Sequence, residues 1–126
     1  ITAQCLRVPV SDGHTAAAFV TFKEGKKPTE EQIKEIWKSF KGRAQELDLP
    51  SAPKQFIHYF EEPDRPQAKT DRELEGGMAI SAGRLRPDTQ YDYKFVGLSH
   101  NTLRGAAGGA VLLAELLCAE GYIDHK

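Results

Sequence analysis

The segment from residue 78 to residue 98 constrains the fold most. Its two halves, 78–86 and 90–98, alternate in polarity on either side of Pro87-Asp88-Thr89, a pattern that predicts two antiparallel strands joined by a tight turn. Tyr91, Tyr93 and Phe95 then share one strand face, and Asp92, Lys94 and Val96 the other. Residues 3–10 and 15–22 are enriched in β-branched and apolar side chains and flank Ser11-Asp12-Gly13, which predicts two further neighbouring strands. Between these pairs stands an amphipathic helix. Thr29 and Gln32 have capping-box spacing, and Ile33, Ile36, Trp37 and Phe40 fall at i, i+3, i+4 and i+7.

The remaining segments fill in around this frame. Residues 42–53 read as loop, residues 55–60 as a short aromatic strand, and residues 61–66 as a break. Residues 68–77 are highly charged, and Gly76-Gly77 disfavours the continuation of a helix through them. Residues 103–120 carry a broad apolar stripe with Gly121 placed as a C-cap. Gly105, Gly108 and Gly109 each weaken that helix by about 1 kcal/mol relative to alanine, which implies that something approaches its backbone closely. Strands and helices in mixed order define an α+β class: a mixed, mostly antiparallel sheet with packed helices.

At 126 residues the chain is the size of one domain, and it should bury roughly two-thirds of its unfolded surface without metal or disulfide staples. Seventeen basic and 18 acidic residues leave a formal charge of −1, so no global field favours nucleic acid or an acidic membrane. No run approaches the ~20 apolar residues of a membrane span. Cys5 and Cys118 form no CxxC pair, and His58, His100 and His125 show no metal-ligand spacing. Small molecules and other proteins remain as partners.

Three features could carry chemistry. Arg7 stands alone among apolar neighbours; it is either a clamp for a substrate carboxylate or an arginine on a solvent-facing strand position. His14 follows Gly13 at the mouth of a turn and is either a general acid/base or an ordinary turn residue. The run 99–109 puts small residues at a helix start, where a ligand or a packed neighbour could come close. A regular hairpin through residues 11–13 would send Arg7 and His14 to opposite faces, so their convergence needs a bulge or a non-hairpin turn at Gly13.

Taken together, residues 4–14 (Gln-Cys-Leu-Arg-Val-Pro-Val-Ser-Asp-Gly-His), 51–56 (Ser-Ala-Pro-Lys-Gln-Phe) and 101–109 (Asn-Thr-Leu-Arg-Gly-Ala-Ala-Gly-Gly) resemble the C-terminal part of aspartate-semialdehyde dehydrogenases, the fungal enzymes especially. Similarity runs over nearly the whole chain. The resemblance implies a glyceraldehyde-phosphate-dehydrogenase-like C-terminal domain for substrate binding and dimerisation. It also implies NADP as cofactor, and aspartyl phosphate, aspartate semialdehyde and phosphate as ligands. The expected setting is a cytoplasmic homo-oligomer, dimer or tetramer, on the route to lysine, threonine and methionine. By the same resemblance Arg7 matches the arginine that grips the substrate carboxylate and His14 the acid/base histidine. Asn101, with Thr102 beside it, matches the segment that touches the nicotinamide end of the cofactor.

The departures are as informative. The family's nucleophilic cysteine lies upstream of the arginine in an Asn-Cys context that neither Cys5 nor Cys118 has, and the first-strand nucleotide-binding glycines are absent. Residues 1–126 are therefore expected to be one domain, the C-terminal part of a longer two-domain enzyme. Its last helix, about 102–120, is expected to pack on the cofactor domain, and the chain alone should be inactive. The rival reading is a non-catalytic binding or oligomerisation module of the same fold. An acyl-phosphate reductase acting on acetylglutamate fits residues 51–55 less well.

Overall fold

The capping box at Thr29 forms as its spacing requires. Thr29 Oγ1 accepts from the Gln32 amide at 3.2 Å while Gln32 Oε1 accepts from the Thr29 amide at 2.8 Å, which starts helix α1 (Glu30–Ser39). The structure is a computed structural model and describes residues 8–123. In chain order it contains β1 (His14–Val20), α1, α2 (Arg43–Glu46), β2 (Ile57–Phe60), α3 (Ala68–Asp71), α4 (Leu74–Gly77), β3 (Ile80–Pro87), β4 (Tyr93–Ser99), a π-helical turn (Leu103–Ala107) and α5 (Gly108–Ala119).

The described strands form one sheet in the order β1-β4-β3-β2. β1 with β4 and β4 with β3 are antiparallel, and β2 joins β3 in parallel, so the sheet is mixed and mostly antiparallel. The turn between β3 and β4 is held by Asp88: its Oδ2 accepts the amides of Gln90 (3.0 Å) and Tyr91 (3.2 Å), and its Oδ1 lies 2.8 Å from Lys94 Nζ. The Lys94 ammonium above all, then those amides, draws the carboxyl from 3.8 down to about 2. A depressed native pKa stabilises the fold fully above the unfolded value and less as pH falls through the native one. Stability in urea should therefore decline between about pH 4 and pH 2. Asp88→Asn should be less stable at pH 7 and lose less on acidification; an acid limb of unchanged depth would refute this.

Two clusters form the core. Ile33 of α1 is buried with Leu85 and Tyr93, and Val20, Phe22, Trp37, Tyr59 and Phe95 pack around them. The Trp37 ring centroid lies 5.0 Å from that of Phe95 and 5.7 Å from that of Tyr59. Leu49, Met78 and Leu112 form the second, which seats α5 on residues 44–52. Ser51 fastens that contact by donating its amide and hydroxyl to the Glu115 carboxylate at 2.9 and 2.7 Å.

Four expectations change. Residues 8–10 are not a strand, and the partner that β1 shows is β4; residues 1–7, the rest of the expected partner strand, lie outside the described residues. Gly13, with a φ of +107°, turns the chain into β1. Residues 42–53 contain the short helix α2, started at Gly42, whose amide donates to Gln45 Oε1 at 2.9 Å. Of the α1 stripe, Ile33 is buried, whereas Ile36 is exposed and Phe40, exposed by 43%, stacks on Phe56 at 5.6 Å. The last helix spans the predicted length, but its first turn is π-helical. Gly105 donates to the His100 carbonyl at 3.0 Å and Ala107 to the Thr102 carbonyl at 2.9 Å, each five residues back. Gly121 ends it as expected: its φ is +77°, and it and Tyr122 donate to Cys118 and Leu117 carbonyls at 3.1 and 2.8 Å.

Candidate active site

His14 opens β1 opposite Ser99, the last residue of β4. Strand alternation puts His14 on the same sheet face as Val20 and Phe95, at the end away from Val20, about 20 Å along the strand from it. α1 covers the Val20 end of that face through Trp37 and Ile33. His14 itself is exposed. Immediately before it, Gly13 is buried, and a Cβ added there would lie 3.2 Å from both Ala68 Cβ and Leu98 Cδ1. Its amide donates to Asn101 Oδ1 at 2.7 Å, across 88 residues of sequence. A carboxamide accepts an N–H only through its oxygen, so this contact fixes the orientation of the Asn101 side chain.

Of the four residues singled out from sequence, the structure brings His14, Asn101 and Thr102 to one end of the sheet. Arg7 lies outside the described residues. Along the π-helical turn after Thr102 the glycines of the small-residue run differ position by position. A Cβ on Gly108 would meet Met78 Sδ at 2.6 Å, and one on Gly109 the Arg104 carbonyl at 2.6 Å, so these two glycines serve packing and the π-helical hydrogen bonding. Gly105 is different: the nearest atom to a Cβ there is the His100 carbonyl at 3.5 Å, and the residue is exposed.

Several neighbours were not legible in the sequence. His100 is buried, and its Nδ1 accepts the amides of Thr102 and Leu103, both at 3.3 Å, capping the turn that carries Asn101. An accepting Nδ1 places the ring proton on Nε2, which faces Glu73 Oε1 at 3.7 Å. Glu73 in turn accepts from Arg72 Nε at 2.9 Å, and Arg72 Nη1 donates to Ser11 Oγ at 3.0 Å. A polar chain thus runs from Ser11 through Arg72 and Glu73 to His100, behind the Gly13–Asn101 bond. The charged run 68–77 carried no local sign of it, since Arg72 and Ser11 are 61 residues apart. Below this chain Asp71 is buried. Desolvation pushes its carboxyl up, but hydrogen bonds from the Arg65 guanidinium, the Gln67 amide and Thr70 outweigh that and hold it below the ordinary carboxylate value.

The residues present fit one end of a nicotinamide cofactor. With Oδ1 held by Gly13, the Asn101 carboxamide keeps its two N–H donors, which suit a carboxamide oxygen, and Gly105 leaves room beside them. Among the described residues no cluster of three His, Cys, Asp or Glu side chains suits a metal ion. Cys118, half-buried on α5, is a free thiol well along the last helix from this turn.

The mixed sheet thus carries at one end an exposed histidine, a positive-φ glycine and a π-helical helix start. Residues 1–104 match the family model described as "Semialdehyde dehydrogenase, dimerisation domain". The chain belongs to that family. It is 49% identical over 123 residues to the aspartate-semialdehyde dehydrogenase of Saccharomyces cerevisiae, covering 98% of this chain and 34% of that one. The crystal structure of the Candida albicans aspartate-semialdehyde dehydrogenase with NADP superposes with a TM-score of 0.85 at 44% identity, covering 93% of this chain and 33% of that one. A second such enzyme, aspartate-semialdehyde dehydrogenase II from Vibrio cholerae, gives 0.64 at 27% identity, covering 93% and 30%. The chain therefore spans about a third of the length of the relatives it matches.

Proposed function

We propose that residues 1–126 form the substrate-binding and dimerisation domain of an aspartate-semialdehyde dehydrogenase that converts L-aspartyl 4-phosphate to L-aspartate 4-semialdehyde and phosphate. The observation that carries this reading is the Gly13–Asn101 hydrogen bond. It joins the histidine turn to the segment that resembles the cofactor-contacting part of the family, although 88 residues separate them. NADPH, when bound, supplies the hydride. His14 takes the proton of the attacking thiol and returns a proton later in the cycle, and Arg7 pairs with the substrate carboxylate through two parallel hydrogen bonds. Asn101, with Thr102 beside it, holds the carboxamide end of the cofactor. The nucleophilic cysteine and most of the nucleotide site come from a preceding domain, for which the threefold greater length of the relatives leaves room.

Two exposed apolar surfaces fit that architecture. Val111 and Leu113 of α5, exposed by 53% and 55%, flank buried Leu112 on its two sides, and the cofactor domain covers one of these flanks in this reading. Phe19, exposed on β1, belongs to the surface that a second copy covers in a homo-oligomer. The setting is cytoplasmic biosynthesis of lysine, threonine and methionine. In the full-length protein, Arg7→Ala should raise KM for aspartyl phosphate by about 10- to 100-fold with a smaller change in kcat, as expected for loss of a bidentate ground-state contact. Steady-state assay of NADPH oxidation at varied aspartyl phosphate checks it. An unchanged KM refutes the substrate role, and turnover by the 126-residue chain alone refutes the division of labour between domains.

A further inference from the structure

We infer that Asn101 is a positioning residue for His14, acting through the Gly13 amide as well as toward the cofactor. The inference rests on the proposed acid/base role of His14 and assigns what holds that imidazole in place. Three observations carry it. Gly13 is buried, so its N–H needs a protein acceptor, and Asn101 Oδ1 at 2.7 Å is that acceptor. The φ of +107° at Gly13 is a turn conformation that determines where β1 begins, and His14 is its first residue. Finally, Ser99 pairs with His14 in the ladder while Asn101, two residues on, pins the preceding glycine. One short stretch of chain thus fixes the backbone on both sides of the histidine.

The carboxamide divides the work. Its oxygen is committed to Gly13, and among the described residues no acceptor takes its nitrogen, so cofactor contact and histidine placement are coupled through one side chain. Loss of the oxygen frees the turn and moves the imidazole. Displacements on the scale of an ångström cost up to about 100-fold in rate.

The test uses the full-length enzyme and three variants. Asn101→Ala should increase amide hydrogen exchange at Gly13 and lower kcat by roughly 30-fold. Asn101→Asp keeps an acceptor oxygen and removes the N–H donors. It should restore Gly13 protection and bring kcat to within about fivefold of the parent, while shifting the acid limb of the kcat–pH profile upward because a carboxylate near the imidazole favours its charged form. KM for NADPH should rise in both variants alike. A kcat within twofold of the parent for Asn101→Ala overturns the inference, as do equal kcat losses in both variants with unchanged Gly13 exchange. His14→Ala separates the levels. If it turns over normally, the acid/base reading falls and this inference with it; if it is inactive while Asn101→Ala is normal, only the positioning role falls.

Discussion

His14→Ala in the full-length protein is expected to lower kcat by roughly 10²- to 10⁴-fold, the range over which a positioned general acid/base contributes. KM for aspartyl phosphate should change little, because the imidazole moves protons and does not bear the substrate's weight. The fold should survive the change. His14 is exposed at the end of the sheet face that α1 leaves uncovered, and no side chain of the core packs on it. Its removal therefore leaves the hydrophobic clusters intact, and the variant should unfold at the same urea concentration as the parent. A pH–rate profile adds a second reading: the parent profile should show a limb that the variant lacks. Normal kinetics would instead support a binding or oligomerisation module that keeps the fold and uses no catalytic residue.

How far the sequence discloses this arrangement depends on the distance over which each interaction acts. The capping box, the Asp88 turn and the Gly121 cap were legible because all their partners lie within a few residues. The α+β class followed from the same local signals. At Ser11-Asp12-Gly13 the turn chemistry is real but what holds it is remote: the β1 ladder runs against β4, and the acceptor of the Gly13 amide is residue 101. Residue patterns resembling the family pointed to His14, Asn101 and Thr102. Nothing local could point to Arg72, Glu73 and His100, whose roles exist only once the segments meet.

The largest effect on stability is expected at Gly83. This residue sits in β3, paired with Phe60 on one side and Val96 on the other, so its backbone is held by neighbours in both directions. A Cβ added there would lie 2.5 Å from the Arg65 carbonyl oxygen, 3.1 Å from its carbon and 3.0 Å from Pro66 Cδ. None of these is the free end of a flexible side chain. Relief requires either the 65–66 segment to lift or the central strand to shift. Lifting it would disturb the Arg65 guanidinium that neutralises buried Asp71, and so uncouple α3 from the sheet. Gly83→Ala should therefore destabilise by about 3 kcal/mol, the upper part of the overpacking range. Gly97→Ala is the matched control, since that position on β4 has nothing within 4 Å of a new Cβ and no positive φ. Urea denaturation of the two full-length variants decides the matter: equal midpoints would mean that residues 65–66 do not press on β3, and the strand would owe its glycine to something else.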